Sequence, residues 1–168
     1  MARTILADVR IKELVKLGKT VTLGSKRPSH KGKHLEWDYD LVSEDGMRFT
    51  VFVRQNTILH DSFSCGLCWI SPSGEHIVLM RCNGGSHPHP NRIEGTQVPF
   101  GFHIHWATER YMRRGKPDGY AIQTDLYSDI DGALKSLTEE CCISGIDGLP
   151  GKMNFPSPRQ LEFPPWTN

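Results

Sequence analysis

Few arrangements suit the segment LEWDYDLV, Leu35 to Val42. Leu35, Trp37, Tyr39 and Leu41 alternate with Glu36, Asp38 and Asp40, a period of two that belongs to a strand with one face in a core and the other in water. The next residues, Ser43-Glu44-Asp45-Gly46, are turn formers, and Asp-Gly favours a tight reversal. The return segment MRFTVFVR then puts Met47, Phe49, Val51 and Val53 on one side and Arg48, Thr50, Phe52 and Arg54 on the other. A lone hairpin is marginal in water, so its apolar face demands further strands or a covering helix.

The chain supplies both. CGLCWIS (Cys65 to Ser71) and HIVLMRC (His76 to Cys82) read as strands around the turn Pro72-Ser73-Gly74, and GFHIHWAT (Gly101 to Thr108) reads as another. A short strand is expected near Tyr120 to Thr124, and a further one is possible around Val21 to Leu23 within the polar stretch Thr20 to His34. Thr4 to Leu17 reads as a helix stopped by Gly18. Ser128 to Ile143 reads as a second, capped by Ser128 or Asp129, with Ile130, Ala133, Leu134, Leu137 and Cys141 as its apolar stripe. The expectation is one α+β domain over residues 1–148: an antiparallel sheet of about five or six strands with a helix at each end of the chain. Its C-terminal helix should cover the apolar sheet face. From Leu149 onward, five prolines and no periodicity mark a tail. The length of 168 residues is enough for a real core.

Bulk properties narrow the function classes. A formal net charge of +1 argues against a strongly basic nucleic-acid coat while allowing local patches, here Lys26-Arg27…Lys31…Lys33 and Arg110…Arg113-Arg114…Lys116. No apolar run reaches the ~20 residues of a spanning helix. MARTILADVRIKELVK lacks the apolar stretch of a secretion leader, so a cytoplasmic location with no membrane partner is expected. Phosphate-binding glycine loops, dinucleotide fingerprints, Gly-x-Ser-x-Gly elbows and His-Glu-x-x-His helices are absent.

The chemistry-bearing stretch is GGSHPHPNRIEGTQVPFGFHIHWATER, Gly84 to Arg110. It holds four of the eight histidines as two His-x-His pairs, His87/His89 and His103/His105. On a strand the second pair shares one face, with Phe102, Ile104 and Trp106 on the other; continued extension would bring Ala107 and Glu109 to the histidine side. The plain structural alternative is a set of polar residues fixed by hydrogen bonds. The sharper reading is acid–base chemistry on a phosphodiester without a metal cofactor. Imidazoles titrate near neutrality, so one can take a proton while another gives one, and the ribose 2′-OH of RNA supplies the nucleophile. In that reading His103 and His105 are the pair, helped by His87 or His89. Arg54 and Arg81 hold the phosphate, Arg110, Arg113 and Arg114 extend the cationic wall, and Asn91, Arg92 and Glu109 orient substrate or ring.

Two other readings stay open. Zinc accepts the ligand set Cys65, Cys68, Cys82 and His87, or a mixed set from the four histidines. Against the first, Cys68 and Cys82 lie in apolar strand segments, where a thiol is an ordinary core residue; five cysteines in a cytoplasmic chain are otherwise reduced thiols. Alternatively the loop and histidine face, with Trp106, Tyr111 and the arginines, dock a protein or nucleic acid without catalysis.

Taken in order, FTVFVRQNTI, GEHIVLMRCNGGSHPHPN, FGFHIHWATER, GYAIQTDL and LKSLTEECCISGI resemble the pattern of an uncharacterised family of small bacterial and phage proteins, a domain of unknown function. The matching positions are Arg54, Ile58, Arg81, one of His87 or His89, Asn91, Gly95, His103, His105, Glu109, Gly119 and Ala121. The resemblance covers the middle and C-terminal two-thirds of the chain. The proline-rich tail, the doubled His87/His89 and the cysteines at 65, 68 and 82 fall outside it. The family brings no established reaction, and its nearest functional analogy is the compact toxin-type ribonuclease with clustered histidines. The resemblance therefore implies a conflict-type protein. Its partners would be RNA and an antitoxin, or else a host defence complex that it inhibits.

Overall fold

The computed structural model describes residues 3–22 and 29–146. Its elements in chain order are α1 (Asp8–Lys16), β1 (Lys19–Val21), β2 (Ser29–Lys31), β3 (His34–Ser43), β4 (Arg48–Asn56), β5 (Phe63–Ile70), β6 (His76–Asn83), β7 (His89–Asn91), β8 (Thr96–Val98), β9 (His103–Trp106), α2 (Glu109–Arg113), β10 (Tyr120–Gln123), α3 (Ile130–Glu140) and β11 (Ile143–Ser144). Nine strands form one sheet in the order β10-β9-β6-β5-β4-β3-β1-β11, with β2 also on β3, and β7 and β8 form a separate hairpin.

The α+β class and the central strands β3 to β6 and β9 agree with expectation, but the strand count is higher. The extra strands are two or three residues long, too short to show a period. The sheet is also not wholly antiparallel, because β1 pairs parallel to β11, Lys19 with Ile143 and Thr20 with Ser144. The first helix starts at Asp8 rather than Thr4. The tail beyond 148 and the basic residues Lys26 and Arg27 lie outside the described residues.

Alternation sorts the two sheet faces. Leu35, Trp37, Tyr39 and Leu41 of β3 are buried, as are Phe49, Val51 and Val53 of β4, Cys65 and Leu67 of β5, Ile77 of β6 and Ile104 of β9. α3 packs on β5 and β6, and α1 on β6. This is the covered, apolar face. Asp129 caps α3, its carboxylate accepting from the Gly132 amide at 2.8 Å.

The C-terminal ends of α1 and α3 meet at one buried lysine. Lys19 Nζ donates to the carbonyls of Val15 (2.9 Å), Leu17 (2.6 Å) and Cys141 (3.0 Å). Terminal helix carbonyls have no partner within their own helix. One ammonium here serves both helices, and burial lowers its pKa to about 8.

Candidate functional site

Across the sheet, His103 lies opposite Asn83 and His105 opposite Arg81, so all four side chains share the face turned away from α1 and α3. The β7–β8 hairpin covers this end of that face. Asn91 anchors it: its side-chain nitrogen donates to the Ala121 carbonyl, and its side-chain oxygen accepts from the Ala121 amide, both at 2.8 Å. The amide group thus acts as a one-residue strand on β10. Of the two tasks expected of Asn91, orienting substrate or an imidazole, its amide contacts bear on the second, because they seat the hairpin that carries His89.

The anchored hairpin brings His89 over the β9 pair. Ring centroids lie 4.4 Å apart for His89–His105, 5.0 Å for His103–His105 and 6.1 Å for His89–His103. Exposed His87 closes on the outer side, 5.2 Å from His103 and edge-on to it. All four histidines of the two His-x-His pairs therefore gather in one cluster.

Each inner ring is held by a main-chain carbonyl. His103 Nδ1 donates to Gly101 (2.8 Å), His105 Nδ1 to Asp118 (3.0 Å) and His89 Nε2 to Gly119 (2.8 Å). Burial lowers the pKa of all three and takes His105 down to about 2, with the Arg81 guanidinium as the next cause for that ring. The rings are neutral at pH 7. His103 and His105 are 0% and 1% exposed, so neither is placed to exchange a proton with a bound ligand. That corrects the expectation that these two are the acid and base.

Of Arg54 and Arg81, the two expected to hold the phosphate, Arg81 lies at the cluster, where it pairs with the Asp118 carboxylate at 2.9 Å. Arg54 shares the sheet face but stands three strands from His103, along the row Arg54–Ser64–Asn83–His103, about 14 Å at the usual strand spacing. It binds Asp38 (2.8 Å) and the Trp37 carbonyl (3.1 Å), with Glu36 at 3.7 Å. The Phe52 ring lies between it and Arg81, since a Cβ on Gly66 would fall 2.5 Å from that ring. Glu109 is also elsewhere. Thr108 caps α2 and ends the extended run, and the Glu109 carboxylate takes Arg113 at 2.6 Å. Arg110 pairs with Glu94.

The cysteine zinc set does not assemble. Cys65 and Cys82 face each other on the covered side, and the strand partners of Cys68, Thr50 and Val78, place it on the opposite face. Burial raises the Cys68 thiol to about 12, and hydrogen bonding to Cys82 together with burial raises that of Cys65.

Beside the cluster opens a cleft of about 470 Å³ whose walls include His89, Arg92, Tyr111, Arg114, Lys116 and Gly119. Three cations and no carboxylate line it among the described residues. Tyr111 is fixed by donating to Glu94 at 2.6 Å and accepting from the Ile93 amide at 3.2 Å. Gly119 is required there, because a Cβ would fall 2.2 Å from Tyr111 Cδ1. The sequence marks Pro117-Asp118-Gly119 as turn chemistry, and Gly119 is among the positions of the family resemblance; neither signal gives the Asp118-Gly119 step a place in a site.

Comparison with protein-family models, with curated proteins and with solved structures finds no match to this chain. Among the described residues no helix is long and apolar enough to cross a membrane.

Proposed function

We propose that this chain binds a phosphate-bearing ligand, RNA first among them, in the cleft walled by Arg92, Arg114 and Lys116, and acts on it beside His89 and His87. The observation that carries this reading is the lining itself: three cations converge on one concave site that shares His89 with the histidine cluster. Phosphate groups are the ligand chemistry that such a wall favours, and Tyr111 offers a ring on which a base can rest. His87 and His89, the two rings nearest the surface, take the proton-handling roles first assigned to His103 and His105. The setting suggested by the sequence resemblance is a cytoplasmic conflict protein of toxin type.

The test is fluorescence anisotropy of a labelled single-stranded RNA across a salt series, with product analysis of the same mixtures. Binding should weaken as salt rises, and the Arg114→Glu/Lys116→Glu variant should lose at least about tenfold in affinity at an unchanged melting temperature. RNA that neither binds in a salt-dependent way nor changes length would overturn the reading.

A second reading rests on a different surface. β10 is the terminal strand of the large sheet, its Ala121 main chain taken by Asn91, and Phe100, Ile122 and Leu126, on it or within a few residues of β9 and β10, are exposed. A protein partner, whether antitoxin or defence complex, would dock on these apolar side chains. Arg114 and Lys116 changes would then leave function intact, while an Ile122→Lys change would abolish it.

A further inference from the structure

A carbonyl oxygen can only accept a hydrogen bond, so the ring nitrogen that meets it must carry the proton. The carbonyls of Gly101, Asp118 and Gly119 therefore set the tautomer of three neighbouring imidazoles. What remains is one bare nitrogen lone pair on each: Nε2 of His103, Nε2 of His105 and Nδ1 of His89. The two Nε2 atoms are sealed from solvent and have no hydrogen-bond partner. An unmatched buried acceptor costs roughly 1–3 kcal/mol. Fixing one imidazole nitrogen on a backbone carbonyl while the other stays unprotonated is how proteins prepare histidine for a metal ion.

The ring spacing agrees. With a zinc–nitrogen bond of about 2.0–2.1 Å, an imidazole centroid stands about 3.2 Å from the ion, and two ligands of a tetrahedral site are then about 5.2 Å apart. Four of the six ring separations in the cluster, those among His89, His103 and His105 and that of His87 from His103, run from 4.4 to 6.1 Å.

We propose that His89, His103 and His105, with the exposed His87 as the outer fourth ligand, bind one divalent transition-metal ion, zinc by preference. Neutral imidazoles suit zinc, and the Arg81 charge beside them is matched by Asp118. Among the described residues no group of three or more His, Cys, Asp or Glu side chains is placed to hold a metal ion as it stands. Binding therefore requires the rings to reorient, by tilts that keep their bonds to the Gly101, Asp118 and Gly119 carbonyls. His87, on a loop at the surface, closes the set. The cleft cations Arg92, Arg114 and Lys116 stand apart from this site, but His87 and His89 belong to both; with an ion bound they are ligands, and proton handling by those two rings belongs to the metal-free chain.

The experiment uses the full chain without a polyhistidine tag. Metal content after dialysis against micromolar zinc is measured by elemental analysis, affinity by competition with a chromophoric chelator, and ligand type by the cobalt(II) spectrum. One equivalent of zinc, a raised melting temperature reversed by chelator, and a tetrahedral cobalt spectrum without thiolate charge transfer are expected. His87→Ala alters an exposed ring and leaves the fold intact; it should weaken binding by at least about tenfold. His103→Asn should remove stoichiometric binding. Less than a tenth of an equivalent on the wild-type chain, binding unchanged in either variant, or a thiolate band would each overturn the proposal. The Arg114→Glu/Lys116→Glu variant separates the two ideas, since it should lose RNA and keep the metal.

Discussion

Asp118 holds His105 by its main chain and Arg81, the strand neighbour of His105, by its carboxylate. The main-chain oxygen of Asp118 accepts from His105 Nδ1 at 3.0 Å, and its carboxylate pairs at 2.9 Å with Arg81, the residue directly opposite His105 on the neighbouring strand. The next carbonyl along, Gly119, holds His89. A single turn thus fixes two imidazoles and the guanidinium beside them.

That turn tolerates little at its second residue. Gly119→Ala would set a methyl 2.2 Å from the Tyr111 ring, so ring or turn must shift. Chemical denaturation should show a loss of about 3 kcal/mol. The Tyr111 contact to Glu94 should weaken with it. A variant as stable as wild type would mean that the turn moves freely.

The Asn91 amide should account for the seating of the hairpin. Asn91→Ala leaves the Ala121 amide and carbonyl unpaired on a buried edge, a loss of about 3 kcal/mol. Hydrogen exchange at Ala121 reports it directly, and protection there should fall while protection in β4 and β5 stays. Equal loss across the sheet would instead point to global unfolding.

Acid should unfold this protein through its histidines. The folded pKa of His105 is about 2 against 6.5 for the free side chain, and His89 and His103 shift in the same direction. Below pH 6.5 the unfolded chain binds protons that the folded chain refuses. The stability from the neutral rings is complete above pH 6.5 and drains away as pH falls toward the folded values. Each ring adds a slope of about 1.4 kcal/mol per pH unit in that window. A urea-denaturation series from pH 7.5 to 4 should give a slope steeper than one proton accounts for. A flat profile would show that the rings titrate normally.

Lys19 should act at the alkaline end. Its folded pKa of about 8 lies below the free value of 10.5. The unfolded chain holds the extra proton between these values, and stability climbs with pH across that window. Lys19→Met removes the climb. It also leaves the carbonyls of Val15, Leu17 and Cys141 without this donor, a loss of about 3 kcal/mol at pH 7. Paired denaturation curves at pH 7 and 9.5 measure both effects.

Much of the fold could be read from residue order. Alternation places the β3–β4 hairpin, the histidine face of β9 and the stripe of α3, because those elements are long enough to repeat. It also separates Cys65 from Cys68, which are three apart on one strand and so point opposite ways; the cysteine metal set could have been discarded on that ground. Three-residue strands such as β7 carry no period; β7 pairs with β8 and is seated on the large sheet by Asn91, which reaches Ala121 from thirty residues away. Arg54 and Arg81 look equivalent in sequence. What separates them is lateral position in the sheet, with Glu36 and Asp38 beside one and two histidines near the other. The switch at Thr108 from strand to helix redirected Glu109, and only the capping bond to the Tyr111 amide reveals it.

The parallel pairing of Lys19 with Ile143 ties the start of the sheet to its last described strand. During synthesis, β1 leaves the ribosome more than a hundred residues before its β11 neighbour. Until then Lys19 lacks the Cys141 carbonyl, and the β1 edge stands open. The nascent chain must therefore hold a nearly complete sheet ajar, a stage at which a chaperone or a second nascent chain has the best access to it.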